Sequence, residues 1–297
     1  MFVAVLIASP SGLPLEKSAA EALRNAWGGG DITWRAPDRA AEFPLDVIPD
    51  THWSVWAELQ HLGVDLCVVP QANRRKRLLI ADMDSTMIDQ ECIDELADVA
   101  RVGDRVREIT SRAMNGELDF EAALEARVSL LEGLDAGVID TVLRDRITEA
   151  RGGRTLLATM KAHGAWTLLV SGGFTAFSAV VAQWIGFDAH QANVLEVAER
   201  RLTGKVTAPI LGREAKVEAL ERATAAQGIG TEDVVAVGDG ANDLGMLGRA
   251  GMGIALHAKP AVAEACGLRI NHGDLTALLY LQGYSADAFV RSDAAAV

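Results

Sequence analysis

Two carboxylates stand two residues apart in Asp82-Met83-Asp84-Ser85-Thr86, where the apolar run Leu78-Leu79-Ile80-Ala81 breaks into a turn. At a strand end both can point at one ligand. An ionised Asp82 could attack phosphorus and become an acyl phosphate; Asp84 could protonate the departing alkoxide and then deprotonate an attacking water. Alone, such a pair could equally cap a turn or a helix. A second group, Gly238-Asp239-Gly240-Ala241-Asn242-Asp243, follows the run Val234-Val235-Ala236-Val237. Mg2+ takes hard oxygen ligands in an octahedron and usually keeps several waters. Asp82, the main-chain carbonyl of Asp84 and Asp239 could supply three, with Asp243 behind them or acting through water. The alternative is a glycine turn with an Asn/Asp helix cap. Third is Ser171-Gly172-Gly173, where a hydroxyl and exposed N–H groups at a helix start would hold an anion. An N-cap serine with flexible glycines reads the same way.

Lys216, in Gly212-Arg213-Glu214-Ala215-Lys216, would by itself be a solvated helix lysine. Charge changes that weighting. Asp82, Asp84, Asp239 and Asp243 outnumber the two positive charges of one Mg2+, and a phosphate adds about −1.5 to −2 more. A cation is required, and Lys216 is the nearest candidate upstream of the third strand.

The elements around these groups alternate. Short apolar runs (Leu78–Ala81, Trp166–Val170, Val234–Val237, Gly253–Leu256) are separated by helical stretches (Gly153–His163, Phe174–Trp184, Glu214–Ala226, Leu244–Ala250). Alternation predicts a parallel sheet with right-handed crossovers, whose ligands gather beyond the carboxyl ends of the strands. All three polar turns lie at such ends. Between Ile88 and Thr148 four helices are expected (Glu91–Val99, Val106–Asn115, Phe120–Leu131, Ala136–Ala150), an insert placed to cover the site. The first 75 residues read βαββαβ: Phe2–Ile7, Glu16–Ala26, Asp31–Arg35, the short extended piece Glu42–Val47, His52–Leu62 and Val64–Val69. Gln71–Arg77 reads as a polar linker, and the chain from Ser285 onward is expected to fray.

The 297 residues suggest roughly two domains, and 49% hydrophobic with 23% charged residues excludes a disordered or fibrous chain. A net charge of −13 is the wrong sign for a nucleic-acid binder that neutralises phosphates. It also requires a site for an anionic phosphoester to be locally positive. Cys67, Cys92 and Cys266 are widely spaced and suggest neither a disulfide framework nor zinc. With no basic leader and no apolar stretch of 18 residues, the expectation is a soluble cytoplasmic protein with no membrane partner.

In this order and spacing, DMDST, SGG, the lysine and GDGAND, with a helical insert after the first, resemble the haloacid-dehalogenase superfamily of Asp-nucleophile phosphatases. The stretches Asp82–Ile88, Glu91–Ala97, Met114–Phe120 and Gly251–Pro260 narrow the resemblance to the branch that hydrolyses phosphoserine. It covers about residues 78–281. It implies Asp82 as nucleophile, Asp84 as general acid/base, and Asp239 as Mg2+ ligand with Asp82 and Asp84. It further implies Glu91 and Arg127 on the amino and carboxyl ends of the substrate, Ser171 and Gly172 on phosphate, Lys216 as the neutralising lysine and Asn242 as a substrate contact. Met114 and Phe120 fall where the cap covers the substrate, and Asp243 supports the metal. Glu91 and Arg127 would otherwise read as surface helix charges, although a carboxylate does suit an ammonium and a guanidinium a carboxylate.

The expected fold is therefore α/β. It has a Rossmann-like core over 76–297, a helical cap inserted at about 88–148, and an N-terminal α+β module over 1–75 resembling ACT-like, ferredoxin-like units. That module could instead be a plain packing or dimerisation unit, which leaves a homodimer open. Two departures, Gly245 and Arg151-Gly152-Gly153 in place of prolines, bear on hinge stiffness. The expected reaction is hydrolysis of phosphoserine. Alternatives are another small phosphoester such as phosphohomoserine or phosphothreonine, transfer to an alcohol, or an amino-acid sensor built on residues 2–69. Neither a GxxxxGK[ST] loop nor a kinase-type glycine loop is present.

Overall fold

A computed structural model describes residues 1–114 and 118–291; the side chains of Ser111, Ala113 and Met114 also lie outside the description. The chain opens with β1 (Phe2–Ala8), α1 (Lys17–Trp27), β2 (Thr33–Ala36), β3 (Ala40–Leu45), α2 (His52–Gln60) and β4 (Val64–Pro70). These strands form an antiparallel sheet in the order β2-β3-β1-β4. That is the ferredoxin-like order expected from βαββαβ. The piece expected at Glu42–Val47 is a full strand, with Phe43 buried at its middle.

Then follow β5 (Leu78–Ala81) and the four helices of the insert: α3 (Cys92–Val99), α4 (Gly103–Met114), α5 (Phe120–Ser129) and α6 (Val138–Asp145). The chain continues through α7 (Gly153–Ala162), β6 (Trp166–Phe174), α8 (Thr175–Ile185), β7 (Ala189–Ala198), β8 (Arg201–Thr207) and α9 (Arg213–Gln227). It ends with β9 (Val234–Gly238), α10 (Leu244–Arg249), β10 (Met252–Leu256), α11 (Pro260–Ala265), β11 (Leu268–Ile270) and α12 (Ala277–Leu281). The second sheet has the order β11-β10-β9-β5-β6-β7-β8, parallel except for the β7–β8 pair. Helices cover both faces, so β5 and β9 are buried along their whole length, as continuous apolar runs in a parallel sheet require.

Register places the site. Ala81 pairs with Val237 on β9 and with Leu169 on β6. Asp82 therefore emerges level with Gly238 and Val170, and Asp239 and Ser171 lie one residue further along the two flanking strands. The insert closes over this end and is tied at its base. Ile88 bridges Glu149, the Asp89 N–H reaches Thr148 O at 3.0 Å, and the Thr148 N–H reaches Gln90 Oε1 at 2.8 Å. At its exit Gly152 sits at φ 87°, which proline cannot adopt.

Three expectations are corrected. The β7–β8 hairpin was not anticipated, because its turn is Glu199-Arg200, both at positive φ (49° and 63°), where Asn-Gly would be the usual signal. The hairpin grips the insert: Gly133 N donates to Leu202 O at 2.8 Å and Leu202 N to Leu134 O at 2.9 Å. The run Gln71–Arg77 is not a solvated spacer. Arg74 pairs with Glu42 at 2.8 Å and donates to Leu281 O and Tyr280 O, while the buried Lys76 donates to Glu232 O at 2.6 Å. Burial alone would raise the Glu42 pKa; Arg74 and Arg35 outweigh it and hold the carboxyl below its usual value. The segment after Ser285 is docked as far as it is described, with Val290 N on Thr159 Oγ1 at 2.9 Å and the Phe289 ring 5.2 Å from Tyr280. Among the described residues no helix is long and apolar enough to cross a membrane.

Candidate active site

A cavity of about 620 Å3 lies between the sheet end and the insert. Asp82, Asp84, Gly172, Asp239 and Asn242 line it from below, and Glu91, Phe120 and Arg127 from above. Lys216, Ser171 and Asp243 are buried just beneath. Of the anticipated residues Met114 alone is not placed: it ends α4, and its side chain lies outside the described residues.

Asp82 is 5% exposed. Its Oδ1 accepts the Met83 N–H at 2.8 Å and lies 2.7 Å from Lys216 Nζ. Lys216 lies on the inner face of α9, and its ammonium also reaches Asp243 Oδ1 at 2.6 Å. Burial works against the lysine's charge, but the two carboxylates outweigh it and raise its pKa. Burial, with Asp243 nearby, pushes Asp82 well above the ordinary carboxylate range, and Lys216 pulls the other way. The charge on Asp82 therefore depends on its cationic neighbour Lys216.

Asp84 is held from two sides. Cys92 N donates to Oδ1 at 3.0 Å, and Ser171 Oγ donates to Oδ2 at 3.2 Å. Burial, with a contribution from Glu91, raises its pKa to about 6, in the range where a carboxyl exchanges protons near neutrality. Ser171 in turn accepts the Gly173 N–H at 2.8 Å. The strand expected to end at Val170 runs on to Phe174 as β6, and α8 begins at Thr175, one residue after the expected helix start. Glycine is needed at 173, since a Cβ there would lie 2.8 Å from Asp84 Oδ2 and 3.0 Å from Ser171 Oγ.

Carboxylate oxygens of Asp82, Asp239 and Asp243 lie within 4.8 Å of one another, a hard-oxygen cluster that suits a divalent cation such as Mg2+. Asp243 has both oxygens committed, Oδ1 to Lys216 and Oδ2 to the Gly240 N–H at 3.0 Å. Asp239 Oδ1 accepts from Thr86 Oγ1 at 3.2 Å. Asp82 Oδ2 and Asp239 Oδ2 accept no hydrogen bond among the described residues. The donors open to a metal are therefore on Asp82 and Asp239, with Asp243 behind them. Burial, then Asp243 and Glu91, raises the Asp239 pKa to about 6, opposed by Lys259 and the Thr86 hydrogen bond.

The roof carries a different chemistry. Asp119 caps α5 by accepting the Ala122 N–H at 2.7 Å, which sets Phe120 over Gly172. A Cβ on Gly172 would lie 3.0 Å from the Phe120 ring. Two turns along, Arg127 Nε donates to Ala123 O at 3.1 Å, and its guanidinium makes no ion pair within 4.0 Å among the described residues. Burial lowers its pKa, opposed by Asp94, Glu91 and Asp84. Glu91 stands at the start of α3, where it accepts Ser85 Oγ at 2.8 Å.

Ser85, Thr86, Asn193, Arg213 and Lys259 were not anticipated. Asn193 donates to Gly172 O at 2.9 Å and Leu211 O at 3.3 Å, and accepts the Leu211 N–H at 2.7 Å. It thereby bolts the glycine turn to the loop that leads into the Lys216 helix. No local pattern marks an asparagine inside a strand for this task. Arg213 and Lys259 line the cavity as exposed cations, beside the carboxylates of Asp82, Asp84, Glu91, Asp94 and Asp239.

Fold and site together define a hydrolase with an α/β core, a helical cap and an Asp-Lys-Asp cluster at the sheet end. The family model for haloacid dehalogenase-like hydrolases matches residues 79–248, and the chain belongs to that family. A phosphoserine phosphatase of Streptomyces coelicolor is 41% identical over 290 residues, 95% of this chain and 70% of its own length. The crystal structure of a haloacid dehalogenase family hydrolase of Salmonella enterica serovar Typhi superposes with TM-score 0.85 at 30% identity, covering 95% of this chain and 98% of the other. A phosphoserine phosphatase structure described as a phospho-aspartyl intermediate analogue matches with TM-score 0.65 and 40% identity over 69% of this chain and 98% of its own. The chain spans 57% to 70% of the length of three such curated relatives.

Proposed function

We propose that this hydrolase cleaves O-phospho-L-serine to L-serine and phosphate, the last step of serine biosynthesis, in the cytoplasm and with Mg2+ as its ion. The observation that carries the reading is the polarity of the cavity. Asp82, Asp84 and the buried Lys216 lie at one end, suited to a phosphate. Arg127, which makes no ion pair within 4.0 Å among the described residues, and Glu91 lie at the other, suited to an α-carboxylate and an α-ammonium. The relatives' printed names point the same way.

In the first step an Asp82 carboxylate oxygen forms a bond to phosphorus, and the bond from phosphorus to the serine oxygen breaks. Asp84 gives its proton to the departing alkoxide. In the second step Asp84 takes a proton from water as the water oxygen bonds to phosphorus; the aspartyl–phosphate bond breaks and Asp82 is regenerated. Ser171 and Cys92 N hold Asp84 throughout, and Lys216 offsets the charge that collects on Asp82. Asp82 and Asp239, with the Asp84 main chain, would hold Mg2+, which supplies Lewis-acid neutralisation of the phosphoryl oxygens. Phe120 and the insert exclude bulk water.

Phosphate release is to be measured from phosphoserine, phosphothreonine and phosphohomoserine, with and without a chelator. The expected result is chelator-sensitive turnover of phosphoserine above the others, abolished in Asp82→Asn. Full activity in that variant, with deamidation excluded, ends the reading; preference for another ester replaces the substrate.

A further inference from the structure

Asp65 belongs to β4 of the N-terminal sheet and is fully buried. Its partners lie across the molecule, in the loop after β11. Oδ1 accepts Asn271 N at 2.8 Å, and Oδ2 accepts His272 N at 3.1 Å and Gly273 N at 2.7 Å. Three consecutive N–H groups facing one anion form a nest, here filled by a side chain from the other sheet. The surrounding contacts bind the same stretch: Gln60 Oε1 accepts Asn271 Nδ2 at 2.7 Å, and the Arg269 guanidinium lies 4.0 Å over the Trp53 ring.

From that loop a second link leads to the cavity. Gly273 O lies 2.7 Å from His257 Nε2; a carbonyl only accepts, so Nε2 carries the proton. His257 is the first residue after β10, stands at φ 46°, and donates its own N–H to Ile270 O at 2.7 Å. A non-glycine residue keeps that left-handed conformation where its surroundings over-determine it. Two residues on, Lys259 N donates to Asp239 O at 3.3 Å, and Lys259 lines the cavity.

We propose that Asp65 and His257 are positioning residues for the divalent-ion site: the N-terminal sheet holds loop 271–273, the loop holds His257, and His257 holds the turn that braces Asp239. This rests on the reading that Asp239 is a metal ligand. The test is calorimetric titration of the metal-free full-length chain with Mg2+, in wild type, His257→Ala, His257→Gln, Asp65→Asn and the double variant Asp65→Asn/His257→Ala. His257 is exposed, so its replacement spares the core, and glutamine returns an N–H donor at the reach of Nε2.

His257→Ala should weaken Mg2+ binding about tenfold, as loss of a supporting partner behind a metal ligand does, with thermal midpoint unchanged. His257→Gln should restore most of it. Asp65→Asn should shift affinity the same way, and the double variant should fall short of the product of the single effects, as expected for one connected path. Wild-type affinity in His257→Ala, or a His257→Gln variant as weak as the alanine, overturns the proposal. A wild-type chain that gives no Mg2+ heat overturns it together with the metal reading. Tight Mg2+ binding without phosphoserine turnover overturns the proposed function alone.

Discussion

Lys216 Nζ lies 2.7 Å from Asp82 Oδ1, with the two side chains 2% and 8% exposed. An ammonium this deeply buried is kept charged by its carboxylates, and it returns the favour by favouring the ionised form of Asp82, the form that can attack phosphorus. Lys216→Met should lower phosphate release from phosphoserine at least about a hundredfold. It should also cost about 3–5 kcal/mol in urea unfolding, because Asp82 and Asp243 are left buried without their cation. A variant that keeps half its activity would contradict this assignment.

Asp84, with its pKa raised to about 6, should act as an acid in the first step and a base in the second. Formation of the phospho-enzyme, followed as a rapid burst, should slow as pH rises through about 6 and the proton is lost. Asp84→Asn should abolish turnover while leaving the thermal midpoint within a few degrees. A burst rate flat from pH 5 to 8 would remove Asp84 from the acid role.

Asp239 carries a testable sign. Its pKa is raised from 3.8 to about 6 in the fold, so between those values the folded, metal-free chain binds more protons than the unfolded one. The stability tied to this group is therefore full below about pH 3.8 and is lost as pH rises through about 6. Asp239→Asn should be more stable than wild type at pH 8 without metal, on the order of 2 kcal/mol, with the difference closing towards pH 4. Added Mg2+ should stabilise wild type and leave the variant unmoved. Thermal melts across that range decide the matter.

Arg127 donates from Nε to Ala123 O and makes no ion pair within 4.0 Å among the described residues. Arg127→Ala should raise KM for phosphoserine by roughly 2–5 kcal/mol in free-energy terms, with a smaller effect on kcat. Hydrolysis of p-nitrophenyl phosphate, which has no α-carboxylate, should be little changed. Equal losses on both substrates would show that the guanidinium does not read the carboxylate.

Gly173 approaches so closely that a Cβ would lie 2.8 Å from Asp84 Oδ2. Gly173→Ala should displace Asp84 or Ser171 and lower kcat at least tenfold, since sub-ångström shifts at reacting groups are costly. Unchanged kcat would mean the turn has room that the geometry denies.

The chemistry-bearing groups were legible because each announces itself locally. Asp82, Ser171 and Asp239 follow apolar runs that could only be buried parallel strands, and strand ends in such a sheet converge. Phe120 and Arg127 were readable only through resemblance, since a helix charge or aromatic looks alike on any surface. Other features belong to tertiary structure alone: the pairing of Asp243 with Lys216, the Asn193 bolt, the grip of the β7–β8 hairpin on the insert, and the Asp65 nest. These are pairings between polar groups 18 to 208 residues apart along the chain. Residue type and spacing tell which groups are able to bond; only the packed backbone decides which of them meet, because burial makes each one find a partner wherever the fold brings it.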